Sequence, residues 1–110
     1  MNSELKKYFD ENGITQQSEK LFVEEFVIPI IGNDKLKFLK AQEPFIDQSG
    51  KQRRIDFAFH DEGLNKIAFE IDGESYHAEG AISSEEFDDS LFRQNELIIN
   101  NWYVLRFSYT

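Results

Sequence analysis

The chain has 110 residues, no cysteine, and 21 acidic against 12 basic side chains, for a formal charge of −9. That length suits one domain, and a 40% hydrophobic content with 11 phenylalanines supplies a packed core, so a disordered chain is excluded. Without cysteine there is no disulfide scaffold, no thiolate zinc site and no cysteine nucleophile. No apolar run approaches the ~20 residues of a bilayer span, and no apolar stretch follows the first basic pair, so neither a membrane segment nor a secretory leader is expected. The expected compartment is the cytoplasm.

Residues 1–13 carry a short amphipathic pattern through Leu5, Tyr8 and Phe9 that stops at Asn12-Gly13, a helix end. Residues 1–14 thus read as an N-terminal helical extension to a domain over residues 15–110. A second helix starts at residues 15–18, with Glu19 in its positive first turn and Leu21, Phe22, Phe26 and Val27 at helical spacing. Pro29 is expected to break it, because proline has no amide and clashes with the preceding turn. Residues 36–46 read as a strand, with Pro44 marking a sheet edge, and residues 47–50 as a turn. Residues 52–59 alternate, placing Ile55, Phe57 and Phe59 on one face and Arg54, Asp56 and Ala58 on the other. After a loop around Gly63 the alternation resumes over residues 66–71. Residues 73–82 form a loop. Ser83 or Ser84 then caps a helix with Glu85 and Glu86 in its first turn and Phe87, Leu91, Leu97 and Ile98 as core candidates. Asn100-Asn101 supplies a left-handed helix end, and residues 102–107 form a closing strand. Helix, three strands, helix, strand makes an α/β fold: an antiparallel meander whose last strand returns parallel through a crossover helix, giving a small mixed sheet flanked by helices.

The charge is unevenly distributed. Lys35, Lys37, Lys40, Lys51, Arg53 and Arg54 concentrate in residues 34–54, whereas residues 61–89 hold ten acids and Lys66 as their one Lys or Arg. An acidic run of this kind is either a solvated face or a set of metal ligands. The net charge alone argues against a nucleic-acid binder, since phosphate binding depends on Lys and Arg. The basic strip is either a backbone-contacting surface or ordinary charge protecting an edge hairpin.

Spacing decides where the acids go. With the second hairpin centred on Gly63, Asp56 lies across from Glu70, and Asp72, two residues on, shares their face. Three carboxylates on neighbouring strands repel, and a divalent cation offsets that repulsion. Mg²⁺ is the natural choice, taking carboxylates, water and substrate phosphate as oxygen ligands. His77 follows five residues after Asp72, within reach of a water or phosphate at the same ion, and its titration range suits a general base. Asp88 or Asp89 on the following helix is placed to orient it. His60, in the hairpin loop, has no such company and reads as surface.

These residues carry a family resemblance. Arg53-Arg54-Ile55-Asp56-Phe57-Ala58-Phe59, then Ala68-Phe69-Glu70-Ile71-Asp72-Gly73 with His77, then Arg93-Gln94-Asn95-Glu96-Leu97 leading into Trp102-Tyr103-Val104-Leu105-Arg106-Phe107, resemble the PD-(D/E)XK nuclease superfamily. Within it the match is to the branch similar to very-short-patch-repair (Vsr) endonucleases, which includes domains fused to helicases and Vsr-like homing endonucleases. The resemblance covers residues 15–110. It implies a restriction-endonuclease-like αβββαβ core and Mg²⁺-dependent hydrolysis of DNA phosphodiesters, with Mn²⁺ able to substitute. Asp56 matches the central metal-binding Asp and Glu70 the first acid of the (D/E)XK motif. Asp72 stands where most members carry Lys; the Vsr-like branch also lacks that Lys and uses His, the role His77 matches. Glu19 falls where the family places an acid on its first helix, and Asp89, or alternatively Asp88, where a helix acid partners the His. Arg93 and Gln94 match positions facing the site or the DNA backbone, and Arg53 and Arg54 are the expected DNA contacts beside Asp56. The acidic balance implies a domain that holds DNA with help from another domain of a longer protein. The competing reading is a catalytically weak or inactive nuclease-fold module that binds nucleic acid or a partner within a larger protein such as a helicase.

Overall fold

Four strands hydrogen-bond in the order β1-β2-β3-β4 at the centre of the computed structural model, which describes residues 3–63, 65–72 and 84–108, with Asp72 and Ser108 described by backbone alone. The strands are β1 (Leu39–Ile46), β2 (Gln52–His60), β3 (Lys66–Asp72) and β4 (Trp102–Ser108). β1–β2 and β2–β3 are antiparallel hairpins, and β4 returns parallel to β3 after a helical crossover, so the sheet is mixed as the element order predicts. β1 is an edge strand, which accommodates Pro44 and its missing amide. In the second hairpin Phe57 pairs with Phe69 and Ala58 with Ala68, the register centred on Gly63.

The helices are α1 (Ser3–Glu11), α2 (Gln17–Phe22) and α3 (Ser84–Ile99). The expected break at Pro29 does not occur. The chain runs on from α2 as a π-helical stretch, Val23–Ile31, with Pro29 inside it, closed by the Gly32 amide donating to the Val27 carbonyl at 2.9 Å. A wider turn moves the preceding carbonyls away from the proline ring, which removes the clash that forbids proline in an α-helix. A 3₁₀ turn, Asn33–Phe38, then replaces the first residues of the expected strand. Asn101 takes φ 71° at the end of α3, the left-handed helix stop expected there. No helix among the described residues is long and apolar enough to cross a membrane.

Each side of the sheet has its own apolar core. On one, Phe22 lies with its ring 5.2 Å from Phe57, 5.3 Å from Phe69 and 5.1 Å from Phe107, and Val23, Val27, Leu36, Leu39 and Phe59 complete the packing. α1 is tied to this side by Leu5, Tyr8 and Phe9; the Tyr8 hydroxyl donates to the Leu39 carbonyl at 2.9 Å, and burial pushes its pKa well up. On the other side, Ile55, Ala58, Ala68 and Leu97 are buried, with Phe45, Trp102 and Val104 around them.

Ile55 is therefore not on the face of Phe57 and Phe59 expected from alternation. The cause lies one residue on. The β1–β2 ladder pairs Ala41 with Phe57 and Glu43 with Ile55 but skips Gln42 and Asp56, and Gln42 takes φ 56°. Across this gap the odd-numbered residues of both strands change sides: Leu39, Ala41, Phe57 and Phe59 meet the α2 core, whereas Phe45 and Ile55 meet α3. α3 also departs from expectation. Leu97 is buried, but Phe87, Leu91 and Ile98 are exposed, and its other buried positions are Ser90 and Glu96. α3 rests on two alanines, Ala58 and Ala68, so a narrow stripe is enough to cover them.

Candidate active site

Asp56 and Glu70 come together where the β2–β3 ladder ends. Phe57–Phe69 is its last pair, and beyond it a side chain takes over: the Ile71 amide donates to Asp56 Oδ2 at 2.7 Å. A carboxylate accepting a backbone amide is fixed in direction. Glu70 is 3% exposed. Arg93 Nη1 lies 3.0 Å from Glu70 Oε1 and donates to the Arg54 carbonyl 2.8 Å away. Neither Glu70 oxygen receives a hydrogen bond from a described residue. Burial pushes the Glu70 carboxyl up to about 7. The Arg93 charge and the nearby Asp56 backbone amide oppose this, while the Asp56 side chain adds to it through its charge and through the hydrogen bond a protonated Glu70 gives it.

Glu19 approaches from the first turn of α2. Its carboxyl is raised by partial burial and by the Asp56 charge, and Gln42 Nε2 donates to Glu19 Oε2 at 3.4 Å. The structure thus sets Asp56 beside Glu70, with Arg93 against Glu70, and Glu19 of α2 within range of the Asp56 charge. Asp72 follows Glu70 on β3 with its backbone paired to Ser108, and its side chain lies outside the described residues. His77 lies outside them too.

A buried carboxylate with two oxygens lacking donors fits a hard divalent cation, which takes oxygen ligands without directional constraint. Asp56 and Glu70 would hold it, with Asp72 as third candidate. Among the described residues no three His, Cys, Asp or Glu side chains form a metal-holding group, so Asp56 and Glu70 are a pair there and not a complete cage. This suits Mg²⁺, which keeps several waters.

Other expectations need correction. Arg53 was assigned to DNA, but its guanidinium is 9% exposed and fully engaged: Nε donates to Asp47 Oδ2 at 2.8 Å, and Nη1 and Nη2 donate to the two oxygens of Asp89 at 2.7 and 2.8 Å. It also lies over the Phe92 ring. Asp89, assigned to orient His77, has both oxygens on Arg53, which lowers its pKa. Asp88 is exposed. Arg54 is the exposed member of the Arg pair, with Nη1 3.5 Å from the Gln42 carbonyl. Gln94 accepts from Arg106 Nη1 at 3.0 Å, which ties it to β4. Arg93 turns inward to Glu70. His60 is not a solitary surface residue, since its Nε2 lies 2.6 Å from Glu43 Oε1 and its ring meets the edge of Trp102.

Two participants were missed. Asp47 accepts from the amides of Ser49 and Lys51 and from the Ser49 hydroxyl, which brings its pKa down to about 2, and it anchors Arg53 as well. The Asp-Gln-Ser-Gly turn signal contains this residue, but nothing in it names the Arg. Gln42 carries no sequence signal at all. A scan against protein-family models, a search of curated proteins and a search of solved structures each gave no match to the chain.

Proposed function

We propose that the chain is a Mg²⁺-dependent DNA endonuclease domain, with Mn²⁺ able to substitute, of the PD-(D/E)XK kind and similar within it to Vsr endonucleases. The observation that carries this reading is Glu70, a buried carboxylate beside Asp56 whose oxygens receive no hydrogen bond from any described residue. The element order and the parallel return of β4 support a restriction-endonuclease-like αβββαβ core.

Held by Asp56 and Glu70, a Mg²⁺ ion would supply Lewis-acid polarisation of the scissile phosphate and a more acidic water. The chain supplies the remaining functions. Asp56, held by the Ile71 amide, would be one ligand of the cation and Glu70 the other. A cation's charge, added to that of Arg93, would favour the ionised form of Glu70. Arg93, between Glu70 and the Arg54 carbonyl, sets a positive charge where a phosphate oxygen gathers negative charge during hydrolysis. His77, with Asp88 as its acid partner now that Asp89 is held by Arg53, is the proposed base for the attacking water, and Arg54 the proposed backbone contact. With Arg53 and Arg93 both held in ion pairs, DNA affinity comes largely from another domain.

The test is nicking of supercoiled plasmid. Wild-type protein should nick with Mg²⁺ or Mn²⁺ and not with chelator, and Asp56→Asn should abolish the activity. No metal-dependent nicking by wild-type protein, or equal nicking by the variant, refutes the proposal. A second reading, a nuclease-fold module that binds without cutting, is favoured by one observation: the described residues alone form no three-ligand metal group. DNA binding without any calorimetric response to divalent ions would select it.

A further inference from the structure

Gln42 sits in the middle of β1 with φ 56°, in the left-handed region that side-chain-bearing residues seldom occupy and that strands do not use. Three features converge on it. The ladder is intact on both sides of the Gln42–Asp56 position with the same register, so neither strand carries an extra residue, and the gap is one matched pair. The same gap is where the odd-numbered residues of β1 and β2 change from one core to the other. Both polar ends of Gln42 are used at the site, its carbonyl facing Arg54 Nη1 at 3.5 Å and its amide donating to Glu19 Oε2 at 3.4 Å.

Resting on the metal-site reading above, we infer that Gln42 is the positioning residue for Asp56: its left-handed backbone opens the ladder so that the Asp56 carboxylate turns to the Ile71 amide and to Glu70. In a regular antiparallel pair Gln42 and Asp56 would face each other as a ladder pair like their neighbours, and Ile55 would stay on the side of Phe57. The kink releases Asp56 from that arrangement. Its carboxylate then lies over the end of the β2–β3 ladder, where it takes the amide of Ile71 and stands beside Glu70. Strain held at a ligand-bearing position is a recurring mark of a functional site, and here it has an identifiable geometric product.

Backbone and side-chain contributions separate by substitution. Gln42→Gly keeps the left-handed conformation and removes the amide; Gln42→Asn keeps the conformation with a shorter amide; Gln42→Val, β-branched, disfavours the conformation. Two readouts follow, neither needing DNA. The first is the Ile71 amide proton resonance, held downfield by its bond to a carboxylate and assigned by its upfield shift in Asp56→Ala, which has no acceptor. The second is Mn²⁺ affinity by calorimetry. Gly and Asn variants should keep the Ile71 signal and wild-type affinity, whereas Val should lose the signal and bind Mn²⁺ about 10-fold or more weakly. A Val variant with the wild-type Ile71 signal, or a Gly variant that loses it, overturns the inference. Should Val fail to fold, the Gly variant decides alone. Absence of Mn²⁺ binding by wild-type protein would refute the metal-site reading, while the Ile71 resonance still decides the role of Gln42.

Discussion

Arg93 holds its guanidinium 3.0 Å from Glu70 while donating to the carbonyl of Arg54, so one cation on α3 faces both the acid of β3 and the backbone of β2. Removing it leaves a buried carboxylate without a counter-charge, a strongly unfavourable arrangement. Arg93→Met should lower stability by about 2 kcal/mol at neutral pH and above, less than for a fully buried pair because Arg93 keeps some solvent contact. The loss should shrink in acid, where Glu70 takes a proton instead. Denaturant titrations at several pH values test this.

Glu70 sets a pH dependence whose sign is opposite to that of most carboxylates. Its pKa is raised in the fold from 4.5 to about 7, first by burial, so the folded chain binds a proton that the unfolded chain has released. The associated stability is fully present below pH 4.5 and is lost as pH rises through about 7. A bound divalent cation favours the ionised form, so the rise in Tm on adding Mg²⁺ should grow across that window. Glu70→Gln should flatten both trends. Thermal melts with and without Mg²⁺ measure them.

Asp47 works in the other direction. The Ser49 hydroxyl, with Arg53 and the backbone amides, holds its pKa down to about 2 against an ordinary 3.8, so its contribution is present above 3.8 and lost as pH falls toward 2. Arg53→Ala, which strips Asp47 and Asp89 together, should lower Tm clearly more than Arg54→Ala. The latter removes an exposed group and should change stability by no more than about 0.5 kcal/mol.

Phe22 is the ring on which the α2-side core converges, in contact distance of Phe26, Phe57, Phe69 and Phe107. Phe22→Ala should destabilise the chain by about 4 kcal/mol through lost burial and the remaining cavity, whereas Phe22→Leu should cost roughly half of that. Urea unfolding with an unchanged slope would attribute the loss to packing.

The elements whose signals are local were legible in the sequence. Gly63 centres a hairpin, so the register that sets Asp56 across from Glu70 follows from the turn and the alternation on either side. Asn100-Asn101 announces a helix end. What the sequence does not carry is the partner of a long side chain. Arg53 reads as one of several basic residues on a strip, and only folding brings Asp89, thirty-six residues away, onto it. Alternation likewise predicts the faces of β2 from Phe57 to Phe59 and fails at Ile55, because the failure originates on another strand, in a glutamine with no propensity for the conformation it adopts. Pro29 is the converse case: the rule that it ends an α-helix holds, and the chain stays helical by changing helix type.

The β1–β2 hairpin, in changing sides at Gln42 and Asp56, contributes Phe57 and Phe59 to one core and Ile55 and Phe45 to the other. It acts as a strap threaded through the sheet, and neither layer can detach without pulling on the other. The two halves should therefore melt as one cooperative unit, with the amides of Ile55 and Phe57 exchanging through a common opening event despite facing opposite layers. A disturbance at Asp56 reaches both layers at once.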